Sequence, residues 1–287
     1  MKEIIKKVKH IELKTKRLVD EVFSGEYHSI FKGQGVEFSE VRPYQYGDDV
    51  RRIDWRVTAK HGKPYVKLFK ETRQLNILLV FDGSPSTLFS AKANKREIAG
   101  EIASILTFSA LKNSDKTGLV LFSDGVDKYI PLEKGKKHSL NIIQHILTFE
   151  SRAEETDLTD TIRKVLHYLN RRSIIFIISD FYTDGYQKEL KMLSKKHDVI
   201  GIRLIEPLEK RLDEMGVIPI KDSESDKIKF INSKKAKKDY RESFQKKDEQ
   251  IKAVFRNAKA DLLNIDIADN YFHQLLKFFK MRERRFR

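Results

Sequence analysis

An Asp-x-Ser-x-Ser string, Asp82-Gly83-Ser84-Pro85-Ser86, follows the apolar run Gln74–Phe81. Two more oxygen donors stand at comparable places farther along the chain. Thr156 precedes a helical stretch that begins at Asp157, and Asp180 ends the run Ser173–Ser179. Carboxylates and hydroxyls together, with no nitrogen or sulfur among them, suit a hard cation. Magnesium is the expected ion, with manganese and calcium as alternatives; calcium wants more ligands and longer bonds than this set supplies. The hydroxyls are neutral, so the ion keeps much of its charge, and an acidic side chain from another protein could complete its shell. The expected metal ligands are therefore Asp82, Ser84, Ser86, Thr156 and Asp180. Each has a plainer reading. Asp followed by Gly, Ser and Pro is common turn composition, Thr156 could cap the helix at Asp157, and Asp180 could be another turn residue. The metal reading is preferred because the three loops should be neighbours.

That neighbourhood depends on the elements. Gln74–Phe81 is a near-continuous apolar run, as expected of a strand buried on both faces. The same holds for Ser173–Ser179. Thr117–Phe122 and Asp198–Ile205 read as further strands, and Asp124-Gly125 is a hairpin signal leading into an antiparallel edge strand, Val126–Ile130. Between them lie helical stretches at Ala93–Leu111, Ser139–Phe149, Asp157–Asn170 and Gln187–Lys196, with Ile and Leu recurring at helical spacing. Short strands near Val217–Ile220 and Lys227–Ile231 follow, then a helix Lys234–Asn257, a strand Asp261–Ile267 and a helix Asn270–Lys280. Strands separated by helices of this length imply right-handed crossovers. The expected fold is α/β: a doubly wound, mostly parallel sheet of Rossmann type, with ligands bound beyond the carboxyl ends of its strands.

Composition removes several other chemistries. The 287 residues include no cysteine, which excludes disulfides, zinc–thiolate sites and cysteine nucleophiles. The longest apolar runs, such as Ile77–Phe81 and Ile174–Ile178, are far short of the ~20 residues a membrane helix needs. The charged N-terminus has no apolar core of a secretory signal. A soluble, cytoplasmic protein is expected. The formal charge is +15, and all of the excess sits in residues 1–17, 226–256 and 280–287. These segments lack the interleaved aromatics or glycines of nucleic-acid modules, so solvated helix faces and a terminal tail are the preferred reading. Nucleic acid is therefore a disfavoured partner, while peripheral contact with a membrane surface stays open.

Residues 21–72 do not share the strand–helix rhythm. Rich in Gly, Tyr, Arg and Asp, they are expected to form β-hairpins and loops packed against the main sheet. The expected division is residues 1–72 as an extension and residues 73–287 as the α/β domain. Within the extension, Asp48, Asp49, Arg51, Arg52 and Asp54 are expected to make a salt-bridged loop, with Trp55 as a core anchor. Nothing there supplies an activated nucleophile or a metal cluster.

Two resemblances add to this. Asp82-x-Ser84-x-Ser86, Thr156-Asp157 before a helix and Asp180 at a strand end are similar to the metal-ion-dependent adhesion site of von Willebrand factor A domains. The string from Gly33 through Gly35, Glu37, Phe38, Arg42 and Tyr44 to Gly47-Asp48-Asp49-x-Arg51-x-Ile53-Asp54-Trp55, then Ala59 and Glu71, resembles the signature of the bacterial "domain of unknown function 58" family. That resemblance spans almost the whole chain. It implies a von Willebrand factor A-like binding protein and not an enzyme. It also implies a MoxR-type AAA+ ATPase as partner, in chaperone-like assembly or stress response, with an acidic client protein. By the same analogy Ser84 and Ser86 bind the ion directly, and Asp82, Thr156 and Asp180 bind it directly or through water. Glu155 stands where the family usually has Gly, and Pro85 stiffens the serine turn.

Two alternatives remain open at this point. A magnesium-dependent phosphatase of the haloacid-dehalogenase type would use Asp82 as nucleophile with Asp180 and Asp184 on the metal. It lacks the second aspartate at the first motif, where Ser84 stands instead, and so lacks the usual general acid. A basic nucleic-acid-binding protein is motivated by charge alone. No G-x-x-x-x-G-K-[ST] string is present, so any ATP hydrolysis belongs to a partner.

Overall fold

The computed structural model describes residues 37–70, 74–84, 95–149, 151, 156–206, 217–221 and 228–286. Contacts divide the chain between Leu75 and Asn76. In the smaller unit, strands β1 (Glu37–Pro43) and β2 (Tyr65–Lys70) pair antiparallel. Between them come a 3-10 turn, Val50–Arg52, and a short helix α1, Trp55–His61. Asp54 caps that helix, accepting from the backbone N–H groups of Arg56 and Val57. Gly62, at φ 66°, closes it in the left-handed conformation that favours glycine.

This unit corrects one expectation. Trp55 is 70% exposed and anchors no core. It occupies the first position of α1, whose inward side is set by Val57 and Thr58, both half-buried; Thr58 Oγ1 accepts from the Tyr65 N–H at 3.0 Å. Residue 55 opens the helix at its first turn, next to the exposed Arg56. The salt-bridged loop is also arranged differently. Asp48 pairs with Arg42 through two hydrogen bonds of 2.8 and 2.7 Å, and not with Arg51 or Arg52. The Arg42 guanidinium, with the Gln45 N–H, holds the Asp48 carboxyl below its ordinary range. Asp49 accepts from the Arg51 N–H instead of a side chain.

The larger unit is built on a six-stranded sheet. After β3 (Asn76–Asp82) come α2 (Lys95–Lys112), β4 (Lys116–Phe122), β5 (Val126–Glu133), α3 (Lys136–Thr148) and α4 (Leu158–Tyr168). Next are β6 (Ile174–Ile178), α5 (Gln187–Lys196) and β7 (Asp198–Ile205). A separate antiparallel ribbon, β8 (Val217–Lys221) and β9 (Ile228–Asn232), leads into α6 (Ser233–Ala258), β10 (Asp261–Asp266) and α7 (Tyr271–Phe286). The sheet order is β10-β7-β6-β3-β4-β5. Every neighbouring pair is parallel except β4–β5. This is the expected doubly wound, mostly parallel sheet with one antiparallel edge.

Alternation along the strands sends successive side chains to opposite faces. Leu78, Val80, Val120, Phe122, Ile175 and Ile177 join Leu158, Ile162 and Val165 of α4, Leu190 and Leu193 of α5, and Ile251 and Phe255 of α6 in one core. The alternate set, with Ile77, Leu79 and Phe81, is equally buried, and so are Ile102, Ile105 and Leu106 of α2. So deep is α2 that Ser104, Thr107 and Ser109 return their hydroxyls to carbonyls one turn earlier.

The far edge is tied by a buried arginine. Arg282 of α7 donates to Asp261 at 2.5 Å and to Asp198 at 2.6 Å, gathering the first residues of β10 and β7. Removing one partner of such a pair is costly because it strands the other. Both aspartates are about a quarter exposed, so the effect should fall below that for a fully buried pair. Arg282→Met is expected to lower the unfolding free energy by roughly 2–3 kcal/mol, read from the urea midpoint at constant slope. An unchanged midpoint would show that the contacts add nothing.

Candidate metal centre

β3 and β6 are adjacent and parallel, yet the chain leaves β3 toward β4 on one side and returns to β6 on the other. Their carboxyl ends therefore flank the point where strand order reverses, and crossover loops diverge there. Asp82 is the last residue of β3, and Asp180 stands two residues beyond β6. The expected donors arrive at one rim for that reason.

Asp82 is fully buried. Its Oδ1 accepts from Ser84 twice, from the backbone N–H at 3.0 Å and from Oγ at 2.6 Å. Its Oδ2 accepts from Ser179 Oγ at 2.6 Å. Ser179 in turn accepts from the Phe181 N–H at 3.1 Å. Asp180 Oδ1 takes the Tyr182 N–H at 3.0 Å, a turn in which Phe181 adopts φ 58°. A bulky residue in the left-handed region is strained, and such strain persists only where packing holds it.

The third loop is stitched to the other two. Thr183 Oγ1 donates to the Thr156 carbonyl at 3.1 Å, joining the loop before α4 to the loop after β6. The Asp157 N–H donates to Ser123 O at 2.8 Å, and the Gly83 N–H to Phe122 O at 2.9 Å, so both loops also hang on the end of β4. Gly83 is required by space: a Cβ there would lie 2.0 Å from the Phe149 ring. The cap of α4 is Asp157, whose side chain accepts from the Asp160 N–H at 2.8 Å. Thr156 is thus released from capping. Its Oγ1 is buried and meets no hydrogen-bond partner among the described residues. A buried hydroxyl in that condition calls for an explanation, and a ligand role supplies one.

Four of the five expected ligands therefore lie on loops joined by hydrogen bonds around one rim: Asp82, Ser84, Thr156 and Asp180. Ser86 lies outside the described residues. Among the described residues no three His, Cys, Asp or Glu side chains gather into a cluster, so a cation here would depend on hydroxyl oxygens. The donors fit a hard ion in kind. Ser179 was not anticipated from the sequence; its only signal is a polar residue ending an apolar run just before Asp180.

Two neighbours shape the surroundings. Asp184, the residue a phosphatase would place on the metal, accepts from Lys247 Nζ at 2.9 Å and is largely exposed. Arg203 of β7, fully buried, donates to Asp248 of α6 at 2.8 Å and to the Tyr182 hydroxyl at 3.0 Å. Its guanidinium also lies 5.2 Å from the Tyr182 ring centre, a cation–π distance. α6 is thereby fastened to the loop that carries Asp180.

The family model described as a protein of unknown function, DUF58, matches residues 40–254. The Mycobacterium tuberculosis protein Rv1480 is 27% identical over 279 residues, covering 96% of this chain and 88% of that one. Among solved structures, an aerotolerance-related membrane protein from Bacteroides fragilis superposes with a TM-score of 0.50 at 14% identity, over 74% of this chain and 99% of that one. The VWA domain of SpRpn10 superposes at 0.43 and 14% identity, over 71% and 95%. The Bacteroides likeness speaks to the fold alone, the doubly wound, mostly parallel sheet described above. Among the described residues no helix is long and apolar enough to cross a membrane.

Proposed function

Since the chain belongs to the DUF58 family, we propose that it is a cation-dependent protein-interaction module whose metal site is Asp82, Ser84, Ser86, Thr156 and Asp180. The observation that carries this reading is the buried, unpartnered Thr156 Oγ1 on the same hydrogen-bonded rim as Asp82 and Asp180. Magnesium is the ion proposed. When bound, it would offer a partly neutralised positive charge to a carboxylate of another protein. The chain's own residues do the rest. Ser179 fixes the Asp82 carboxylate, Asp157 takes over the helix cap, and the Thr183 hydroxyl holds the Thr156 loop. No residue is assigned a catalytic role. The proposed partner is a MoxR-type AAA+ ATPase with an acidic client, and the support for it is the family resemblance.

Thr156→Val tests the site, because it removes the hydroxyl while keeping the shape. Burying an unpaired hydroxyl is unfavourable and an apolar isostere is close to neutral or better. The metal-free variant should therefore be at least as stable as the parent. Its affinity for Mn²⁺, titrated calorimetrically with Mg²⁺ as competitor, should fall by about tenfold or more. Equal Mn²⁺ affinity in the two proteins would remove the site. The partner is tested separately, by retention of a purified MoxR-type ATPase on the immobilised chain in magnesium and in EDTA.

A further inference from the structure

The smaller unit carries a surface that the metal-site reading does not use. Tyr46, Val50 and Trp55 are exposed large apolar side chains; Tyr46 is completely open to solvent, and Trp55 is 70% exposed. Arg51, Arg52 and Arg56 are interleaved with them and are also exposed. Surfaces do not usually gather Trp, Tyr and Arg. Those three residue types are the ones that dominate binding energy at protein–protein contacts.

The backbone under this group is fixed. The Tyr44 N–H donates to Pro64 O at 2.9 Å, and the Asp54 N–H donates to Tyr65 O at 2.8 Å. Residues 44 and 54 are thus held against consecutive residues, so the intervening segment is a loop closed at its base. Inside it, the Asp48 N–H reaches Gln45 O at 3.0 Å, and Asp48 clamps Arg42. Ile53 bridges to Val66. A loop held this way pays little ordering entropy on binding.

Charge decides what it fits. The segment Tyr44–Arg56 holds three arginines and three aspartates and is neutral overall. A nucleic acid or an anionic membrane binds through net positive potential, and this segment has none to offer. At short range the balance differs. Asp48 is occupied by Arg42, Asp49 by the Arg51 N–H, and Asp54 by the N–H groups of α1 and, at 3.6 Å, by Lys67. The guanidinium groups of Arg51, Arg52 and Arg56 make no ion pair or hydrogen bond among the described residues. Asp48 and Asp54 are partly buried in their contacts, Asp49 is exposed with one backbone partner, and the three arginines are exposed in the same segment as Trp55.

We propose that the Tyr46–Arg56 surface docks a partner protein that offers an apolar pocket to Trp55 and carboxylates to Arg51, Arg52 and Arg56. The planar forks take those carboxylates through paired hydrogen bonds. This surface shares no residue with the cation site, so either can fail without the other.

Trp55 is the one tryptophan in the chain, so its fluorescence reports directly on this surface. A display library of short random peptides is panned on the full chain and counter-selected on the Arg51→Ala/Trp55→Ala/Arg56→Ala variant. The expected survivors carry Asp or Glu around a bulky apolar residue, and they shift Trp55 emission to shorter wavelength in a saturable way. Arg51→Ala and Arg56→Ala, with circular dichroism unchanged, should each weaken that binding by about tenfold or more. The proposal is overturned if no survivor depends on the surface, or if survivors are not acidic. It is equally overturned if Trp55 emission responds to oligothymidine, to phosphatidylserine vesicles, or to raised concentration of the chain alone, and not to acidic peptides.

Discussion

Asp82→Asn is expected to abolish the stabilisation that magnesium gives the parent. The substitution keeps the shape of the side chain and one oxygen that can still accept from Ser84, so the sheet should form as before. It removes the charge and places an amide where Oδ2 now accepts from Ser179 at 2.6 Å. A cation held otherwise by neutral hydroxyls and Asp180 loses half of its carboxylate partners. The expected loss of Mg²⁺ affinity is about 100-fold or more, about 2.7 kcal/mol. Linkage makes this visible in thermal unfolding. A ligand at 100 times its dissociation constant stabilises a protein by about 2.7 kcal/mol, which for a domain of this size raises the midpoint by roughly 5–10 °C. At one fixed magnesium concentration the parent should show that rise and Asp82→Asn almost none, each measured against its own midpoint in EDTA. Equal rises in both would place the cation elsewhere.

What could be read in the chain beforehand follows the range of the interactions concerned. β3 and β6 announce themselves because strands covered on both faces need unbroken apolar runs, and the Asp124-Gly125 turn marks β5 as the antiparallel edge. Once those are aligned, the reversal of strand order between β3 and β6 brings Asp82 and Asp180 together without further information. Ser179 was illegible, because its bond to Asp82 exists only once those two strands are neighbours. Nor could it be foreseen that Asp157 caps α4 and frees Thr156: either residue type caps well, and the choice depends on the exact turn at which the helix begins. Trp55 shows the opposite failure. The sequence, which offers no nucleophile or metal cluster in this segment, suggests Trp55 as a core anchor. In the structure it opens a helix of only two turns, pinned by Asp54 and by Thr58, and is 70% exposed.

Phe181 links the strain at the rim to the core beneath it. It is fully buried, packs edge-on to Phe255 at 4.9 Å and lies 6.2 Å from Tyr186, while its backbone sits at φ 58°. The left-handed conformation costs a residue with a Cβ roughly 1–2 kcal/mol. Burial of the ring, worth about 3–5 kcal/mol against alanine, is what holds the turn that aims Asp180. Phe181→Ala is expected to lose that whole amount, because it surrenders the ring and keeps the strain. Phe181→Gly surrenders the ring but relieves the strain. At an ordinary core position glycine would be the worse of the two by about 1 kcal/mol. Here the order should invert, with the urea midpoint of Phe181→Gly above that of Phe181→Ala. Both should bind Mg²⁺ more weakly than the parent, since the turn after Ser179 no longer has an anchor in the core. Glycine less stable than alanine would mean that residue 181 does not take the left-handed conformation. The carboxylate of Asp180 would then be presented by some other turn.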